Sequence, residues 1–88
     1  MPGFEFFGPE ERKHVNDVLE TGILMRYGFD GPRKGIWKAK ELEEAICETF
    51  GCKHAQLVSS GTAALTTAMS ALGIGYGDEI ILPSFTFV

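Results

Sequence analysis

Cysteine, histidine, tryptophan and proline are all scarce here: two, two, one and four in 88 residues. Two cysteines exclude the disulfide-stapled secreted scaffolds, which need several bridges to replace a core of this size. Cys47, Cys52 and His54 spell Cys-x4-Cys-x-His, but a fourth zinc ligand is missing and Cys47 falls in a helical pattern. Those cysteines read as reduced, partly buried thiols, and no metal is expected. No basic run is present: eight Lys and Arg stand against twelve Asp and Glu, for a net charge of −4. The densest basic stretch, 33–40, sets four such residues among apolar ones. That excludes a nucleic-acid partner, because neutralising phosphates needs clustered cations. Long apolar runs are absent too, with nothing near the roughly 20 residues of a membrane span. The N-terminus carries Glu5 early and has no apolar core, unlike a secretory signal or transit peptide, so a cytoplasmic address is the expectation. There are no internal repeats and no low-complexity tracts.

What is present reads as globular. Gly8-Pro9 followed by Glu10 and Glu11 starts a helix, since Pro suits the first position and acids suit the positive helix end. Val15, Val18 and Leu19 continue it to a stop at Gly22, so a helix is predicted over 9–20. From 21 to 37 the periodicity fades and Gly28, Gly31, Pro32 and Gly35 accumulate, giving a long loop of the kind that is functional or covered by a partner. A second helix is predicted over 38–50, with Leu42, Ile46 and Phe50 on one face, Glu41, Glu43, Glu44 and Glu48 on the solvated side, and Gly51 as its stop. A short buried strand over 55–59 follows, then a helix opened by Ser59-Ser60-Gly61-Thr62 and stopped by Gly73, and then a strand over 79–82 closed by Pro83. Strand, helix, strand is a right-handed parallel crossover, so the fold class is α/β. Two parallel strands do not stand alone, so the segment is expected to be the front of a larger protein, with an arm over 1–37 and the start of a large domain over 38–88.

Chemistry concentrates at two places. The turn Ser60-Gly61-Thr62-Ala63 places unpaired N–H groups at a positive helix end, where small side chains let an anion approach and Ser60 and Thr62 add hydroxyls. The same hydroxyls serve equally as caps for the helix's own amides, and on these residues alone both readings stand. The glycines of a Rossmann motif and the lysine of a Walker loop are lacking. Past the second strand, Phe85 and Phe87 are placed either to stack on a planar ring or to join a core.

Taken together, the motifs carry a resemblance. Ser60-Gly61-Thr62-Ala63-Ala64-Leu65, then Ala71-Leu72-Gly73-Ile74-Gly75-x-Gly77-Asp78-Glu79-Ile80-Ile81-x-Pro83-Ser84-Phe85-Thr86-Phe87-Val88, resembles the DegT/StrS family of pyridoxal-phosphate-dependent sugar aminotransferases over about 41–88. The resemblance implies the N-terminal part of the large domain of a fold type I transferase, a mostly parallel sheet flanked by helices, in a homodimer with active sites at the subunit interface. It implies that Ser60, Gly61, Thr62 and Ala63 hold the cofactor phosphate and that Phe87 stacks on the pyridine ring of pyridoxal 5'-phosphate. Phe4-Glu5-x-Phe7-Gly8-Pro9-Glu10-Glu11, Arg26-Tyr27-x-Phe29-Asp30 and Trp37-Lys38 further resemble the subgroup that aminates carbon 8 of a 3-deoxy-octulosonate sugar for cell-surface polysaccharide. On that resemblance Arg26, Tyr27 and Arg33 are candidates for contacting the acidic sugar.

Such an enzyme needs a lysine for the Schiff base and a carboxylate at the pyridinium nitrogen. The resemblance puts both beyond Val88, and Lys13, Lys34, Lys38, Lys40 and Lys53 all precede the first motif. The expected function is amino transfer, from glutamate, to a keto or aldehydo sugar such as an 8-oxo-octulosonate or a nucleotide-linked ketosugar, with the 88 residues inactive alone. A sugar dehydratase of the same family and a non-enzymatic α/β phosphate-binding module are the other readings.

Overall fold

The structure, a computed structural model, describes residues 3–87. They form a short 3-10 helix, Phe4–Phe6, and four α-helices: α1 Pro9–Thr21, α2 Asp30–Arg33, α3 Lys38–Phe50 and α4 Gly61–Ala71. The chain divides into two compact units between Gln56 and Leu57.

In the first unit, α1 begins with Pro9 at its first position, where the missing N–H costs nothing. The Gly8 N–H donates to Glu11 Oε2 at 2.7 Å, so the side chain of the first turn closes the helix start from within. A serine at position 8 would return the bond; glycine leaves this reciprocal cap half made. At the other end Gly22 turns left-handed and its N–H donates to the Val18 carbonyl at 3.0 Å. The following loop is ordered by Arg33, the most buried side chain described, at 5% exposure. Its Nε donates to the Gly28 carbonyl at 2.8 Å, a terminal nitrogen donates to the Met25 carbonyl, and the guanidinium lies 4.0 Å from the Trp37 ring centroid. Phe29 and Lys34, on either side of α2, take left-handed φ values of 61° and 54°. For non-glycine residues that is a strained choice, sustained here by the arginine bonds they bracket.

Two ion pairs join the arm to α3: Lys38 Nζ with Asp17 at 3.2 Å and Arg26 with Glu43 at 2.7 Å. They hold the arm to α3 within the first unit. They also correct the face assigned to α3. Glu43, read as solvated, is 8% exposed, while Leu42 and Phe50, read as inward, are exposed; Ile46 and Cys47 lie half-buried beside Glu43.

In the second unit, Ser60 Oγ accepts from the Ala63 N–H at 3.1 Å and starts α4. After α4 the Gly73 and Ile74 N–H groups return to the Ser70 and Met69 carbonyls at 3.0 Å each. Segments 55–59 and 79–82, predicted as parallel strands, form no strand among the described residues and run as irregular chain on either side of α4. Helices draw their hydrogen bonds from within, but a parallel strand draws its ladder from neighbours that these residues do not supply. No hydrophobic side chain is buried among the described residues, and Leu65, Leu72, Ile81 and Phe85 stand exposed.

Candidate functional site

The first turn of α4 leaves part of its row of amides uncapped. Of its leading amides, Ala63 is capped by Ser60 Oγ and Ala64 donates to the Ser60 carbonyl at 2.9 Å. The Gly61 and Thr62 N–H groups have no protein acceptor among the described residues. Ser60 is therefore committed to capping, and its neighbours are left open. Thr62 is exposed at the same end, and its carbonyl accepts the Thr66 hydroxyl at 3.0 Å. No acidic residue occupies the first turn of α4, in contrast to α1 and α3, so the positive end of the helix dipole is uncompensated. Gly61 has neither a left-handed φ nor any neighbour within 4 Å of where a Cβ would stand. A side chain at this position would therefore meet open space.

Phe87 lies in the same unit as this turn and is 95% exposed, as free of packing as a ring awaiting a planar partner would be. No ring contact or hydrogen bond ties it to the turn among the described residues.

The three arm candidates part ways. Tyr27 is 77% exposed. Arg26 is paired with Glu43, and that hydrogen bond raises the guanidinium pKa. Arg33 is turned inward and its donors serve Gly28 and Met25. Of the three, Arg33 is the one buried, while Arg26 uses one terminal nitrogen on Glu43 and Tyr27 stands exposed. Sequence reasoning missed the partner of Arg26, because Glu43 sits 17 positions away with no pattern linking them. The Arg33-x-x-x-Trp37 spacing was the one available signal for the buried arginine.

Lys38 also has a settled role. Partial burial acts to lower its pKa, but hydrogen bonds to Asp17 and Glu41 outweigh this and hold the ammonium above its ordinary value. A Schiff-base lysine needs the opposite, a readily neutralised amine. Among the described residues no cluster of His, Cys, Asp and Glu is arranged to hold a metal, and no helix is long and apolar enough to cross a membrane.

The motif that builds the α4 turn has known counterparts. Residues 7–88 match the DegT/DnrJ/EryC1/StrS aminotransferase family. The chain belongs to this family. It is 44% identical over 78 residues to the GDP-perosamine synthase of Vibrio cholerae, an alignment covering 89% of this chain and 19% of that protein. The chain thus spans about a fifth of the length of the curated relative it matches. Aminotransferases of the DegT/DnrJ/EryC1/StrS family depend in general on pyridoxal phosphate. The open amides of Gly61 and Thr62, the Thr62 hydroxyl and the acid-free helix end fit the phosphate of that cofactor.

Proposed function

We propose that these residues form the phosphate-binding front of a pyridoxal-phosphate-dependent sugar aminotransferase that transfers an amino group from glutamate to a keto sugar in cell-surface polysaccharide synthesis. The observation that carries the reading is the α4 turn, in which Ser60 caps one amide and leaves those of Gly61 and Thr62 free. Bound there, the cofactor supplies the electron sink that lets an amino group leave the donor and join the acceptor. The chain's own part is to hold and orient. Gly61 and Thr62 N–H groups donate to phosphate oxygens, the Thr62 hydroxyl adds a third bond, the small Ala63 leaves the approach open, and the helix dipole favours the anion. Phe87 covers the ring, and the lysine that completes the chemistry lies outside residues 1–88, which are inactive alone. Fold type I architecture, with arm 1–37 ahead of a large domain beginning at 38, and a cytoplasmic homodimer complete the reading; the exposed apolar side chains of both units support burial against further protein.

For the acceptor, a nucleotide-linked ketosugar is favoured over an 8-oxo-octulosonate. The relative's name carries a GDP-linked sugar, and of the arm groups that a sugar acid would need, Arg33 is buried on backbone carbonyls and Arg26 spends one terminal nitrogen on Glu43. Tyr27 remains as the arm's contact to the sugar.

The test is a titration of the full protein with pyridoxal phosphate, followed by its absorption and by borohydride trapping. Loss of one charge-assisted bond in Thr62→Ala is expected to weaken cofactor binding by about 10-fold or more. Wild-type affinity in Thr62→Ala together with Gly61→Val would overturn the assignment of the turn.

A further inference from the structure

The end of α3 holds a second chemical feature, unconnected with the phosphate turn. Gly51 caps α3 in the left-handed conformation, φ 65° and ψ 26°. A left-handed residue at that place reverses the chain, so that the side chain two positions past the helix lies against the helix's last full turn. Here those two positions are Cys52 and Cys47. Cys52 acts on Cys47 as a near neighbour that raises its pKa, and neither thiol is in a disulfide. Cys52 is exposed and Cys47 half-buried. Cys47 lines a shallow depression open to solvent with Lys53 and His54, so a dissolved reagent reaches this corner.

We propose that Cys47 and Cys52 are a vicinal dithiol that closes reversibly to an intrachain disulfide across the C-terminal cap of α3, with a small-molecule disulfide as oxidant. The exposed partner reacts first. The Cys52 thiolate attacks one sulfur of the external disulfide, forming a mixed disulfide and expelling one thiolate. Cys47 gives its proton to water and attacks Cys52 Sγ, forming the Cys47–Cys52 bond and expelling the second thiolate. The two cysteines together lose two electrons, and the external disulfide is reduced to two thiols. Burial and the neighbouring Cys52 raise the Cys47 pKa, which fits Cys47 as the second, resolving thiol rather than the first attacker.

Trypsin has no site between Lys40 and Lys53, so one peptide, 41–53, carries both sulfurs. The full protein is incubated with oxidised glutathione, blocked with iodoacetamide and digested. Peptide 41–53 is expected about 2 mass units lighter than its reduced form and free of both blocker and glutathione. Cys47→Ser is expected to stop at the glutathione adduct on Cys52. Gly51→Ala, which disfavours the left-handed reversal, is expected to close about tenfold less readily. A wild-type peptide 41–53 that retains glutathione, links to another chain or takes two blocking groups would overturn the proposal, as would closure in Gly51→Ala at the wild-type rate.

Discussion

Gly61 separates two demands that usually coincide in one residue. It is not needed for backbone conformation or packing, yet it sits over the only uncapped amides described at the start of α4. Gly61→Ala is therefore expected to leave the circular dichroism of α4 unchanged while loosening pyridoxal phosphate; equal loss of both would show that the glycine is structural. Ser60 is the complement, since its hydroxyl is spent on Ala63. Ser60→Ala is expected to cost about 1 kcal/mol of helix stability in a denaturant titration, as for other helix caps. Arg33 makes two backbone hydrogen bonds and a cation–π contact. Lysine, a point charge, does not reproduce that fork, so Arg33→Lys is expected to behave nearly as badly as Arg33→Ala, losing about 2–3 kcal/mol and opening 25–37 to protease. A protected loop in Arg33→Lys would show that the positive charge suffices without the guanidinium fork.

At the scale of elements, each helix is anchored by its ends more than by its faces. The start of α1 depends on the Glu11 carboxylate, whose pKa is lowered by the bond from the Gly8 N–H. A folded-state pKa below the unfolded one means that this contribution is present above the ordinary glutamate pKa of about 4.3 and is lost as pH falls through the lower folded value. Amide exchange in the first turn of α1 is expected to quicken on acidification in the wild type and to be fast and nearly pH-insensitive, after correction for intrinsic rates, in Glu11→Gln. Gly8→Ser, which supplies the missing half of the cap, is expected to slow it. Salt bridges tie α3 to the arm, yet its own composition had suggested a helix with its acids all in water. Glu43 departs from that scheme because Arg26 reaches it from the loop, and a carboxylate leaves water at lower cost when it is paired.

For the whole molecule, the main fact is the lack of a hydrophobic interior among the described residues. Phe4, Phe6, Phe7, Leu65, Leu72, Ile81, Phe85 and Phe87 are exposed. So much apolar surface favours association over a solitary state in water. Residues 1–88 expressed alone are expected to sediment as concentration-dependent oligomers and to bind a hydrophobic dye, and a dye-negative monomer would show that these side chains find cover within the segment. The first unit is ordered by polar contacts between helices and loop, while the second consists of α4 and its flanking turns.

The longer helices α1, α3 and α4 were legible in the residues because each writes its signals locally, whereas α2 falls in the stretch 21–37 read as a loop. Pro9 and Gly22, Lys38 and Gly51, and Ser60 and Gly73 mark starts and stops that the structure keeps within a residue or two. The Gly61-Thr62 turn was legible for the same reason, since a helix start exposes its amides whatever surrounds it. Family membership likewise follows from ordered residues alone. Tertiary structure decided what no local pattern encodes: that Arg33 is buried, that Arg26 pairs with Glu43, and that Ser60 is spent on capping while Thr62 is not. It also left 55–59 and 79–82 without a ladder, because a strand, unlike a helix, is made by its neighbours.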